Sequence, residues 1–200
     1  SFTSSNKIFY DNFDVIINCS GAFINGNYSI EDIISLNVKN AYFIGEQSIK
    51  QKYFPKLIIN FSTLSIYGDL KTSLINDETL PSPSNIYGTS KLLGENVVST
   101  LLKDKLPIIN IRLPAILGER AHSAWLPSLL KKIRNNEDIQ IFNPNSLYYS
   151  CTTLKTLLNF TKTLMQADLK INTFSFPVGS LGDMTIIQII NYIKKESNSN

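Results

Sequence analysis

The sequence predicts an α/β chain, a parallel sheet flanked by helices. Three observations lead there. Short apolar runs alternate with longer amphipathic segments along the chain, the pattern of a parallel sheet covered on both faces. Hydrophobic residues make up 43% and charged residues 18%, enough for a packed core. The apolar runs end in small or hydroxylic residues, where open α/β sheets hold their ligands.

The elements follow in order. DVIINCSG (14–21) reads as a buried strand ending in small residues. SIEDIISLNVKNAYFIGEQSIKQKYF (29–54) has helical periodicity, with Ile33, Leu36, Ala41, Ile44 and Ile49 near one stripe. KLIINFSTLSIYG (56–68) is a second strand running into a polar loop, and Pro81 and Pro83 mark another loop. Ser84 or Asn85 caps a helix that continues to about Lys103. LPIINIRLPAILG (106–118) is a third strand, broken by Pro114, and LPSLLKKIRNN (126–136) a short helix. IQIF (139–142) reads as a strand, TLKTLLNFTKTLMQ (153–166) as a helix and TFSFPVG (173–179) as a strand. MTIIQIINYIKK (184–195) closes as an amphipathic helix, with Thr185 placed to cap it. There is no clear linker and no low-complexity tract.

Bulk properties narrow the function. The net charge of +3 is spread thinly, without a run of Lys or Arg, so no nucleic-acid partner is expected. No apolar run reaches the roughly eighteen residues of a membrane span, so no membrane partner is expected. The two cysteines, Cys19 and Cys151, make no disulfide framework and fit a reduced, cytoplasmic setting. No His/Cys/Asp cluster has ligand spacing, so no metal is expected.

NIYGTSK (85–91) sets Tyr87 and Lys91 four apart at the start of a helix, on one face. The spacing alone is a weak signal, because Tyr67 and Lys71 share it. Context separates the two. Tyr67 and Lys71 fall in a loop, whereas Tyr87 and Lys91 open a helix downstream of a strand ending in Ser62 and Thr63. Tyrosine has an unperturbed pKa of about 10. A neighbouring ammonium favours phenolate, so Tyr87 is a candidate acid/base for a substrate hydroxyl that Thr63 orients.

With these pieces in order, the chain resembles the extended short-chain dehydrogenase/reductase family, the NAD(P)-dependent epimerases, dehydratases and reductases of nucleotide sugars. DVIINCSG resembles the family's fourth strand, and NVKNAYFIGEQS its Asn-Val-x-Gly-Thr helix, with Asn37 at the Asn position. FSTLSIYGD resembles its Ser-Ser/Thr-x-x-Val-Tyr-Gly strand end. SPSNIYGTSKLLGENVV resembles its Tyr-x-x-Ser-Lys-x-x-x-Glu helix, with Ser90 and Glu95 in place. IRLPAILGE and SFPVGSLGDMTIIQIINYI resemble later segments.

The resemblance implies a Rossmann-like fold and assigns roles. Tyr87 is the acid/base. Lys91 binds the nicotinamide ribose and lowers the tyrosine pKa. Thr63 holds the substrate oxygen, with Ser65 beside it. Cys19, Ser20 and Gly21 line the cofactor, NAD or NADP, and Pro114 lies near the nicotinamide. A nucleotide sugar is the implied substrate, and a homodimer through helices near 29–54 and 84–104 the implied assembly. Tyr67 belongs to a structural Tyr-Gly turn. The loop GERAHSAWLP (118–127) runs toward the nucleotide-sugar site, which makes Arg120 and His122 candidate substrate contacts, although a lone histidine is more often a polar surface or capping residue. Arg112, inside an apolar strand, is expected to be buried with a partner.

There are departures too. No glycine-rich phosphate turn of the Gly-x-x-Gly-x-x-Gly type occurs. The expectation is therefore a fold incomplete at the N-terminus, beginning near the fourth strand, as a fragment or a natural remnant. Thr152 and Thr153 stand where aspartates are common, and Ala115 where Asn is frequent. Residues 1–118 are expected to be the C-terminal part of a dinucleotide-binding domain, 119–172 a small substrate-side segment, and 173–200 a strand and helix returning to the first part. Two other readings stay open, a non-catalytic remnant or binding module, and a relative acting on a non-sugar carbonyl.

Overall fold

The computed structural model describes residues 13–23, 28–51, 53–69, 75–76, 78–118, 125–148, 151–180 and 184–197. Those residues form two compact units, one of residues 1–113 and 165–177 and the other of 114–164 and 178–200.

The first unit holds β1 (Val15–Asn18), α1 (Ile30–Lys50), β2 (Leu57–Thr63), α2 (Ile86–Leu101), β3 (Ile108–Leu113) and β6 (Thr173–Pro177). A short 3-10 helix, Leu64–Tyr67, continues from β2. The sheet runs in the order β1-β2-β3-β6 with every pair parallel. It is the expected Rossmann-like arrangement of parallel strands flanked by helices.

Side-chain alternation along the strands explains the layers. Ile58 and Ile108 pack with Ala41 of α1 and Val98 of α2, together with Leu102 and Leu106, and Ile16 joins them. The register aligns Ile16 with Ile58 and Ile58 with Ile108, so one apolar rung crosses three strands under the two helices. The next residue on that face of each strand is an asparagine, Asn18, Asn60 or Asn110, and all three are buried.

α1 begins at a capping box. Ser29 Oγ accepts from Asp32 N at 3.1 Å, and Ser29 N donates to Asp32 Oδ2 at 3.0 Å. The helix stops at Lys50, short of the 54 expected, with Gln51 already extended and Pro55 close behind. The buried stripe of α1 is Ile33, Asn37, Ala41, Gly45 and Ser48. Of the expected stripe, Ile33 and Ala41 belong to it and Ile49 does not. Small residues let α1 and α2 approach closely, and a hydrophobicity pattern does not register them.

The second unit contains β4 (Ala115–Leu117), α3 (Trp125–Arg134), β5 (Cys151–Thr153), α5 (Ile186–Glu196) and most of α4 (Leu154–Gln166). β4 and β5 pair in parallel. Leu129 and Ile133 of α3 pack on Ile190 of α5, with Leu126, Ile139, Ile186, Ile189 and Ile193 around them. Thr185 caps α5 in a capping box with Gln188. Thr153 Oγ1 accepts from Thr156 N at 3.1 Å at the start of α4, the N-terminal capping role that a short oxygen-bearing side chain fills.

Two expectations need correction. IQIF (139–142) is not a strand. Only Ile139 packs into the apolar cluster, while Ile141 and Phe142 are exposed, so no sheet face exists for the segment to cover. The strand that pairs with β4 is β5, too short for a periodic signal. The division of the chain also falls differently. β6 joins the first sheet, but α5 belongs to the second unit, because its apolar face meets α3.

Candidate active site

The carboxyl ends of β1 and β2 and the first turns of α2 converge in the first unit. Asn85 caps α2, its Oδ1 accepting from Gly88 N at 2.9 Å. That cap sets the phase of the helix and turns Tyr87 and Lys91 toward the strand ends. A close approach fixes the same turn, since a Cβ on Gly88 would stand 2.3 Å from the Ser65 carbonyl oxygen. Only glycine lets α2 start this near the 3-10 helix.

Thr63 ends β2 and is buried. Its hydroxyl accepts from Ser65 N and lies 3.2 Å from Ser65 Oγ. Burial pushes the Tyr87 phenol above its ordinary pKa, and a hydrogen bond from Thr63 pulls it partly back. Lys91 is expected to lower this pKa, and the net direction is upward because burial is the larger cause.

Lys91 is 7% exposed. Its Nζ donates to the Ser20 carbonyl oxygen at 3.1 Å. Burial lowers its pKa, opposed by the charges of Glu95 and, less, Cys19. The ammonium is thus engaged by the β1 end and by the next turn of its own helix. Burial also raises the Cys19 thiol pKa, with Lys91 acting against it.

Asn37 of α1 ties the loop after β1 to α2. Its Oδ1 accepts from Ala22 N at 2.7 Å, and its Nδ2 donates to Ala22 O and to Ser90 Oγ, both at 2.9 Å. Ser90 Oγ in turn donates to the Tyr87 carbonyl at 2.9 Å. Below Lys91, Glu95 pairs with Arg112 through Nη2 at 2.9 Å and Nε at 3.3 Å, while Arg112 Nη1 donates to Tyr67 Oη at 2.8 Å. Arg112 is therefore buried with partners, as expected. Tyr67 serves that network and the turn at Gly68, whose φ is +61°.

The structure brings together Thr63, Ser65 and Tyr87, and beside them Lys91, Ser20, Gly21 and Cys19. Pro114 follows Leu113 directly and begins the second unit. Arg120, His122 and Lys71 lie outside the described residues. Sequence reasoning missed a line of amides under the site, Asn18, Asn60 and Asn110. Its signal was present, since the tripeptide Ile-Ile-Asn occurs at 16–18, 58–60 and 108–110. Among the described residues no acidic, His or Cys group could hold a metal ion, and no helix is long and apolar enough to cross a membrane.

The family model for the NAD dependent epimerase/dehydratase family matches residues 2–151. The chain belongs to that family. Solved structures of the same fold include UDP-glucuronic acid 4-epimerase from Bacillus cereus in complex with NAD, 21% identical with a TM-score of 0.85, covering 97% of this chain and 62% of that one. The same enzyme with UDP-glucuronic acid and NAD matches at 21% identity and a TM-score of 0.81, covering 94% of this chain and 60% of that one. The Bordetella bronchiseptica enzyme WbmG with NAD and UDP matches at 18% identity and a TM-score of 0.78, covering 94% and 57%. This family member thus spans about three fifths of the length of those proteins, up to 62%. No curated protein matches the sequence.

The site's residues fit a nicotinamide cofactor on three counts. A lysine ammonium has three donors, and the bond to Ser20 uses one. The Ser62 hydroxyl is buried without a hydrogen-bond partner. The Cys19 and Gly21 positions after β1 are exposed at the carboxyl end of the sheet, where a flat cofactor meets backbone.

Proposed function

We propose that this chain carries the acid/base centre of an NAD(P)-dependent oxidoreductase, epimerase or dehydratase acting on a nucleotide sugar. The observation that carries the reading is the convergence of Thr63 at the end of β2 with Tyr87 and a buried Lys91 ammonium on the first turns of α2. Thr63 would hold the reacting substrate oxygen, with Ser65 beside it. Tyr87 would take the proton from that hydroxyl and return it. Lys91, with Ser20, Gly21 and Cys19, would hold the cofactor, and Pro114 would lie near its ring. Bound NAD or NADP would supply the hydride acceptor and, when oxidised, a positive ring that favours phenolate. Raised by burial, the Tyr87 phenol needs such a charge to lose its proton near neutral pH.

Arg120 and His122 are assigned to the substrate's diphosphate or base by their place in the sequence alone. The described residues of the second unit carry Lys131, Lys132, Arg134, Lys155, Lys162, Lys194 and Lys195 against Glu137, Asp138 and Glu196, a balance that favours anionic ligands. Free Cys19 and Cys151 support a reduced, cytoplasmic setting.

A panel of UDP-hexoses and UDP-hexuronic acids, incubated with the protein as its cells make it and with NAD or NADP, tests the reading. Proton NMR should detect a new epimer, ketone or dehydrated sugar from at least one member. Nucleotide binding with no conversion across the panel would favour a non-catalytic binding module instead.

The same reading includes a homodimer. α1 exposes Ile30, Ile34, Tyr42 and Ile49, and α2 exposes Leu93. Exposed apolar side chains on these two helices fit a second copy related by two-fold symmetry. Light scattering should give twice the chain mass for the native protein and the single-chain mass for Ile34→Asp. A native single-chain mass at micromolar concentration would remove the dimer.

A further inference from the structure

Three asparagines form one continuous line of hydrogen bonds across the sheet. Asn18 Nδ2 donates to Asn60 Oδ1 at 2.7 Å, Asn60 Nδ2 to Asn110 Oδ1 at 3.1 Å, and Asn110 Nδ2 to Ser175 Oγ at 2.9 Å. The four residues are paired in register on adjacent parallel strands. Asn18, Asn60 and Asn110 are 5%, 2% and 1% exposed. This rung lies directly above Ile16, Ile58 and Ile108, where an apolar residue would avoid the desolvation of an amide. Every amide points the same way, with its donor toward β6 and its carbonyl toward β1.

The acceptor end of the line is Asn18 Oδ1, and it leaves the sheet there. It accepts from Ser20 N at 3.0 Å and Ser20 Oγ at 2.5 Å. The Ser20 carbonyl is the group that receives Lys91 Nζ. Aligned hydrogen bonds polarise one another and strengthen the terminal acceptor.

We propose that the amide ladder is a positioning device for Lys91, in which Asn18 fixes the Ser20 carbonyl and the carbonyl fixes the ammonium. This rests on the reading of Lys91 as the cation beside the acid/base tyrosine. Asn18 touches neither substrate nor cofactor and acts only through Ser20. Lys91 is faced by Glu95 from α2 and by Cys19 after β1, and beyond Glu95 by Arg112 from β3, with Tyr87 one turn before it on α2, so its charge depends on where the ladder holds it.

The test is Asn18→Leu in the protein as its cells make it, with 13Cε-labelled lysine. The Lys91 signal is assigned by its loss in Lys91→Met and titrated by NMR. Losing the carbonyl partner removes a bond that favours the ammonium, so Lys91 should titrate lower by about one unit. The acid limb of kcat/KM should move to higher pH, because a displaced cation favours the Tyr87 phenolate less. If Asn18→Leu does not fold, Asn18→Leu/Asn60→Leu/Asn110→Leu removes the whole ladder and leaves no side-chain amide orphaned, and the Ser175 hydroxyl at its far end is exposed. A ladder that only locks strand register would lower stability with the Lys91 titration unchanged, and that result overturns the proposal. The Lys91 titration needs no turnover. A shifted Lys91 with a fully active Tyr87→Phe would keep the ladder and reject the catalytic reading.

Discussion

Tyr87→Phe should abolish most turnover while leaving the fold and cofactor affinity in place. The substitution removes one oxygen from a partly buried side chain whose hydroxyl is hydrogen-bonded to Thr63, so packing against the first turn of α2 survives. What is lost is the proton carrier, and a positioned acid/base group contributes on the order of 10²–10⁴-fold. Cofactor affinity should hold because Lys91, Ser20 and Gly21 are untouched. The pH profile sharpens the expectation. Activity as a base requires the phenolate, so kcat/KM rises with pH up to the Tyr87 pKa. Burial pushes that pKa up, which moves the acid limb toward higher pH. Lys91→Met, which takes away a positive charge, should move it further in the same direction. Steady-state rates of the native protein and both variants across pH check this. A Tyr87→Phe enzyme within about threefold of native would contradict the role, since acid/base groups contribute far more.

The sequence carried the fold well where its signals were periodic or positional. Apolar runs located β1, β2, β3 and β6, and Asn85 and Thr185 marked helix starts through ordinary capping chemistry. It carried less where small or polar residues do the packing. Asn37, Gly45 and Ser48 form much of the buried stripe of α1, yet a search for apolar periodicity selects Ile49, which is 39% exposed. IQIF misled because its composition suits a strand, and only long-range pairing decides whether a strand forms. At the site, the order of motifs selected Thr63, Tyr87 and Lys91 as candidates. It could not give the direction of the Tyr87 pKa, which depends on burial. Nor could it reveal that three Ile-Ile-Asn tripeptides meet in register. A fourth at 189–191 falls in α5, so the tripeptide by itself does not specify a ladder.

Arg112→Met should be the most damaging single change to stability. Glu95 and Arg112 are 2% and 8% exposed, and they share two hydrogen bonds. Removing the guanidinium leaves a carboxylate in the interior between β3 and α2, and orphans the Tyr67 hydroxyl that accepts from Nη1. Breaking one partner out of a buried pair costs about 3–5 kcal/mol. Arg112→Lys should recover little, because an ammonium cannot reproduce the fork that meets two carboxylate oxygens and a phenol. Replacing both members, Arg112→Met with Glu95→Leu, is often neutral for an isolated pair. Here it should restore only part of the loss. Glu95 is also the main charge supporting the buried Lys91 ammonium, and its removal leaves that cation without its anion. Urea unfolding of the two single variants and the double variant reads each of these differences. If Arg112→Met unfolds within about 1 kcal/mol of native, the ordinary cost of a point mutation, then Glu95 has another partner and the network is not the pivot of α2. If the double variant returns fully to native stability, Lys91 does not depend on Glu95. The acid/base centre would then lean on the β1 end alone, through Ser20.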